Sequence, residues 1–93
     1  MKAIWNGEVI AESNDTILFD GNHYFPPDSV KSRFLENSKT KSVCPKKGTA
    51  SYRNIVVGDK TNEDAAWFYS RPKEAAKKIA GYFAFWKGVK IAS

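Results

Sequence analysis

Apolar residues come in short bursts along this chain. Ile4-Trp5, Val9-Ile10, Ile17-Leu18-Phe19, Tyr24-Phe25 and Ile55-Val56-Val57 are separated by polar residues and by Gly, Pro, Asn or Asp. The first four lie too close together for helices and predict strands joined by tight turns. Ile4 to Ile10 reads as a hairpin closed by Asn6-Gly7, a dipeptide that accepts the left-handed backbone of a two-residue turn. Thr16–Phe19 and Asn22–Phe25 form a second pair across Asp20-Gly21, so the first quarter is expected to be a meander of about four strands.

Pro26-Pro27 ends that meander, because proline cannot donate to a ladder. A short helix is expected over Asp28–Leu35, capped by Asp28 or Ser29, with Val30 and Phe34 on one face. Glu36 to Ser42 is polar and basic and is expected to be a surface loop. Thr49–Val57 and Ala65–Tyr69 read as strands, with a turn at Gly58-Asp59. A second helix is expected from Pro72 to Gly81, with Ala75, Ala76, Ile79 and Ala80 on its apolar face. Tyr82–Trp86 is strand-like, and Val89–Ile91 either extends it or pairs back through Lys87-Gly88. The expected class is mainly β with a minor α contribution: one antiparallel domain over residues 1–93, with two short helices and a curled or double-layered sheet.

Composition adds three points. Thirteen aromatic rings (three Trp, four Tyr, six Phe) in 93 residues supply a core without help from a metal or disulfide. One cysteine can make neither an internal disulfide nor a structural zinc site, so no metal and no cofactor is expected. The first residues hold no apolar run of signal-peptide length, and nothing approaches the ~20 apolar residues of a membrane span. A soluble, cytoplasmic protein without a membrane partner is therefore expected.

Charge is uneven. Residues 1–30 carry one basic and five acidic side chains, a balance of −4, whereas the remainder carries fourteen basic and five acidic, a balance of +9. Such asymmetry belongs either to a solvated face or to a surface for anions or nucleic acid.

The densest chemistry lies in Cys44-Pro45-Lys46-Lys47-Gly48-Thr49-Ala50-Ser51-Tyr52, a turn feeding a strand. Cys44 is a candidate nucleophile whose thiolate the neighbouring lysines would favour, or else a small buried hydrophobe. Ala50 and Tyr52 share one strand face. Lys47 at the mouth of that strand would then leave room for a ligand anion, with Tyr52 as donor. Glu12 and His23 follow the two hairpin turns and are a candidate carboxylate–imidazole pair for general-base work. Trp5, Trp67 and Trp86 come from separate strands, as walls of a pocket for a flat ligand or as core.

Five segments in order carry a resemblance. They are Trp5–Ser13, Gly21–Pro27, Cys44–Tyr52, Asp64–Tyr69 and Pro72–Trp86. Together they resemble a small family catalogued as domain of unknown function 427, nearly end to end. The family often has Cys-Pro-Trp-Lys-Gly at the turn. Lys46 stands here in place of the aromatic, so no stacking role follows for that position, while Lys47, Gly48, Ala50 and Tyr52 keep the pattern.

The resemblance implies a β-tent-like fold, in which two small antiparallel sheets meet at an angle. That group includes zinc-binding chaperone-like domains, methionine sulfoxide reductases of the B type and the thalidomide-binding domain of cereblon. Many of them hold zinc on paired Cys-x-x-Cys motifs, which one cysteine cannot supply. A nucleotidyltransferase-like label also attaches to the family, yet Glu63-Asp64 is the only adjacent acidic pair and Gly48 stands alone rather than in a phosphate loop.

The leading expectation is a small-molecule-binding or enzymatic domain with a pocket beside the Cys44–Tyr52 turn. Its ligand would be small and anionic or nucleotide-like, with Lys47, Tyr52, Trp5 and Trp67 as contacts. The alternatives are a Cys44-dependent redox-type enzyme, with His23 and Glu12 as further catalytic candidates, and a module for nucleic acid or protein.

Overall fold

A computed structural model describes residues 1–93. Nine strands form three antiparallel sheets. Strands β1 (Lys2–Trp5), β2 (Glu8–Glu12) and β9 (Lys90–Ala92) make one sheet in the order β2-β1-β9. Strands β3 (Ile17–Phe19) and β4 (Asn22–Tyr24) form a separate hairpin. Strands β5 (Leu35–Cys44), β6 (Gly48–Val57), β7 (Lys60–Phe68) and β8 (Phe83–Phe85) form the largest sheet, in sequence order.

The Asn-Gly and Asp-Gly turns behave as their chemistry requires. Asn6 and Gly7 have φ of 50° and 79°, and Asp20 and Gly21 have 49° and 80°, both in the left-handed region of a tight hairpin turn. The two hairpins do not join into one meander, however. Each turns toward a different partner, because β1 pairs with the C-terminal strand β9 through Lys2–Ile4. The β3–β4 hairpin instead reaches the edge of the large sheet, where Phe25 and Phe83 exchange backbone hydrogen bonds of 2.7 and 2.9 Å. Val89–Ile91 thus neither extends β8 nor pairs back on it.

The strands of the large sheet alternate between two cores. Ile55, Val57, Ala66 and Phe85 pack with Ala3, Ile10, Ala11 and Phe25 between this sheet and the three-stranded one. Ala50 and Ala84, with Tyr52 and Trp67 at the margin, face the other way onto Tyr24, Tyr69, Ala76 and Ile79. The sheet is therefore sandwiched, which explains why its middle strands read as broken rather than clean alternation.

Both expected helices are replaced by 3-10 turns. Over 28–35 the backbone makes two three-residue turns, Pro27–Ser29 and Ser32–Phe34. Between them the Lys31 N–H bonds the Ile10 carbonyl at 2.9 Å and Val30 bridges Ala11. Pairing with β2 outcompetes the intrahelical bonds a short helix would make. The second segment, Glu74–Ile79, is also 3-10 and broken at Ala76 (φ −118°, ψ 16°). Only Ala76 and Ile79 are buried; Ala75 and Ala80 face solvent. That spacing of three is the 3-10 period. Gly81 ends the segment with φ of 76°, as its glycine suggested.

Glu36–Ser42 is not a loop but most of β5. As an edge strand it exposes nearly all its side chains, so its polarity hid a backbone paired with β6 on both sides of a bulge between Asn37 and Lys41. Lysines and a bulge on such an edge discourage pairing with another chain.

Candidate functional site

The register Tyr52↔Trp67↔Ala84 puts three residues side by side on one face of the large sheet. Ala84 is small and fully buried. Tyr52, Trp67, Tyr69, Trp86 and Lys47 enclose a cleft of about 200 Å³ on that face.

The rings are fixed by perpendicular packing. Trp67 stands edge-on to Tyr24 (6.3 Å, 89°) and to Trp86 (6.0 Å, 82°). Such pairs contribute about 0.5–1.5 kcal/mol each beyond area burial. Their polar edges are anchored too. The Trp67 indole N–H donates to the Tyr24 hydroxyl at 3.3 Å, and the Trp86 indole N–H donates to the Asp64 carbonyl at 2.6 Å. The hydroxyls of Tyr52 and Ser42 share a 2.8 Å bond. Trp86 nonetheless keeps 47% of its surface exposed, with the Lys87 ammonium 5.1 Å from its ring centre.

Lys47 closes one end. Its side chain is only 14% exposed, and its ammonium lies 3.2 Å from the Asp20 carboxylate. It also stands 5.9 Å from the ring centres of both Phe19 and Tyr69. Burial pushes its pKa down, but the Asp20 hydrogen bond, the Tyr24 and Tyr69 phenols and the Asp20 charge outweigh this and hold it above the usual lysine value. Lys47 is thus a fixed cation. The hydrogen bond from Lys47 lowers the pKa of Asp20 and, against the effect of burial, the nearby Lys46 and Lys47 charges lower it further. Burial raises the Tyr69 phenol despite the Lys47 charge, which keeps it a neutral donor. Its hydroxyl makes no side-chain hydrogen bond within the protein.

Cys44 is half-buried behind this end of the cleft, against the core that contains Tyr69, and does not line the cleft. The backbone N–H groups of Lys47 and Lys46, in the turn after Cys44, hold the thiol below its ordinary range, with burial and Asp20 opposing and the Lys47 charge assisting. The turn is clamped from outside, as Lys73 N–H donates to the Lys47 carbonyl at 2.8 Å and Lys73 Nζ to the Pro45 carbonyl at 2.7 Å.

Lys47, Tyr52 and Trp67 therefore converge, with Cys44 adjacent. Trp5, Glu12 and His23 lie elsewhere. Trp5 packs with Met1 and Ile91 against the core beneath the three-stranded sheet. Glu12 ends β2 beside a shallow polar groove formed with residues 28–33. The His23 ring nitrogen pairs with the Thr16 hydroxyl at 3.3 Å in the β3–β4 hairpin. Different sheets hold Glu12 and His23, and no hydrogen bond joins them. No three His, Cys, Asp or Glu side chains gather as a metal site.

Two cleft residues were legible by strand parity. Tyr69 is two positions after Trp67 and Trp86 two after Ala84, so each falls on its neighbour's face. Asp20 was not, because nothing local marks a turn residue as the partner of a lysine in a distant turn.

No helix is long and apolar enough to cross a membrane. No curated protein matches the chain. The family described as domain of unknown function (DUF427) matches residues 1–92, and the chain belongs to that family.

Proposed function

We propose that this is a small-molecule-binding domain whose ligand is a flat ring bearing an anionic or hydrogen-bond-accepting edge, nucleotide-like in outline. One observation carries it: Tyr69, whose hydroxyl makes no side-chain hydrogen bond, and the cation Lys47 line the same cleft as the anchored rings of Trp67 and Trp86. Donors at one end and aromatic faces along the sides suit a ring held by stacking and oriented by its acceptors. The cleft of about 200 Å³ is below the roughly 300–1,000 Å³ of drug-sized pockets, which points to one or two fused rings. Ligand charge has to compete with Asp20 for Lys47, so acceptor edges and single negative charges suit the site better than polyanions.

Screening nucleotides, nucleobases and small aromatic acids by thermal shift, with tryptophan fluorescence as second readout, tests this. Compounds that raise the melting temperature should quench Trp67 and Trp86, and Lys47→Ala or Tyr69→Phe should abolish both signals. Absence of any hit across that library, or hits indifferent to both substitutions, overturns the reading.

A Cys44-dependent enzyme is the second reading, favoured by a thiol whose pKa the Lys47 and Lys46 backbone N–H groups lower. Rapid alkylation of Cys44, slowed by any cleft ligand, would support it. Labelling no faster than a free thiol at neutral pH would remove it.

A further inference from the structure

The opposite face of the same sheet carries a second cleft of different chemistry. Lys41 stands across from Ser51 in the β5–β6 register, so Lys41, Thr49 and Ser51 share the face turned away from Ala50 and Tyr52. The chain leaving β7 brings Ser70, Arg71 and Lys73 onto the same spot. These residues line a concavity of about 420 Å³, and no apolar or acidic side chain lines it. The three-stranded sheet covers the Ile55–Val57 end of this face and leaves the Thr49–Ser51 end bare.

We propose that this cleft binds the phosphate group of a small phosphorylated molecule. Three cations and three hydroxyls converge on it from three stretches of chain, giving charge and short-range donors together. Two of the cations are held in place. Lys41 Nζ donates to the Ser51 hydroxyl at 2.9 Å and Lys73 Nζ to the Pro45 carbonyl at 2.7 Å, which leaves each ammonium with free protons. Arg71 contributes a guanidinium fork suited to two phosphate oxygens. The loop carrying Arg71 is docked onto the turn, with the Arg71 carbonyl and the Lys73 N–H packed against Gly48.

None of these cations has an ionic partner, since both ion pairs of the protein belong to Asp20. Three gathered like charges repel one another in the empty cleft, and an oxyanion relieves that repulsion. Convergence on one hollow fits a compact phosphate better than a nucleic-acid backbone, which would be matched by cations strung along a track.

The test is a titration of the full chain with sodium phosphate at low ionic strength, followed by amide NMR and compared with sodium chloride at equal ionic strength. Phosphate should move the amides of Gly48, Thr49 and Arg71 saturably, and chloride should not. Arg71→Gln with Lys41→Gln, both exposed positions, should weaken the phosphate response about tenfold or more while leaving the spectrum otherwise dispersed. Trp86→Ala, on the other cleft, should leave the phosphate response unchanged, which separates this site from the proposed ring-binding one. Equal shifts with chloride, or a response that survives the double substitution, overturn the proposal. So does binding of single-stranded oligonucleotides that tightens with length when phosphate alone gives no saturable shift.

Discussion

Trp67 donates its indole N–H to the hydroxyl of Tyr24 at 3.3 Å, joining residues 43 positions apart. Tyr24 is fully buried in the hairpin core, so its hydroxyl fixes the angle of the ring that forms the cleft wall. Tyr24→Phe keeps the packing and removes only the acceptor. It should cost about 0.5–1.5 kcal/mol by urea unfolding. The freed indole should also show a changed emission maximum, and ligand affinity should fall more than stability alone accounts for.

The Lys47–Asp20 pair should shape the pH dependence of stability. Asp20 has a lowered pKa in the fold, so its contribution is complete above its unfolded value and is lost as pH falls through the lower, folded value. Lys47 has a raised pKa, so its contribution is complete below its unfolded value and is lost as pH rises through the folded one. The pair therefore stabilises across a broad plateau between carboxylate and lysine titration. Asp20→Asn preserves the turn, because Asn tolerates the left-handed backbone at φ 49° as well as Asp does. The variant should lose stability within that plateau and converge on the parent below it, as followed by thermal melts from pH 2 to 11. Freed of its partner, Lys47 should also bind anionic ring ligands more tightly.

Asp64 ties together two bulges that flank β6. On β5 the register slips between Asn37 and Lys41, and on β7 it slips opposite Arg53–Ile55. The Asp64 carboxylate spans them, accepting from Ser38 Oγ at 2.5 Å and Thr40 Oγ1 at 2.8 Å. Those two bonds lower its pKa against burial, with Lys87 adding a smaller charge effect. Asp64 itself has φ of 58°, a conformation alanine tolerates less well. Asp64→Ala should cost about 2–3 kcal/mol in urea. Its acid sensitivity should weaken, since the parent's Asp64 contribution is lost as pH falls through the depressed folded value. Because the Asp64 carbonyl also holds the Trp86 indole, movement of the bulge should loosen one cleft wall.

These contacts show which parts of the architecture were visible in the residues alone. Local turn chemistry was plain: Asn6-Gly7, Asp20-Gly21 and Gly81 adopt the backbone their side chains predict. Face-sharing on β6 was plain as well, because Ala50 and Tyr52 obey a period of two. Edge strand β5 was hidden, since an exposed Ser/Lys/Thr run looks like a loop while its backbone is paired. The 3-10 segments were hidden for a related reason. Val30 and Lys31 bond to β2, a partner that no local propensity reveals. The cleft was half visible. Lys47, Tyr52 and Trp67 lie near one another in strand logic and Trp86 follows Ala84 by parity, whereas Trp5 could be ranked only once β1 was known to pair with β9.

Gly48 offers the sharpest test of how the turn sets the chemistry of Cys44. Its φ of +112° is strained for any residue with a Cβ. Space is not the obstacle, because an added Cβ would meet the Arg71 carbonyl and the Lys73 nitrogen at ordinary 3.5 Å contacts. The cost of Gly48→Ala should therefore be conformational, about 1–3 kcal/mol. Relieving that strain turns the peptide between Lys47 and Gly48 against the Lys73 clamp on the Lys47 carbonyl, and so displaces Lys47, whose N–H helps hold the thiol low. Alkylation of Cys44 followed across pH should then titrate higher in Gly48→Ala than in the parent, toward the value of an ordinary thiol. In Asp20→Asn the midpoint should move the other way, because a carboxylate that raises the thiol is removed. An unchanged midpoint in Gly48→Ala, in a variant shown by melting to be destabilised, would mean that the turn amides do not control the sulfur.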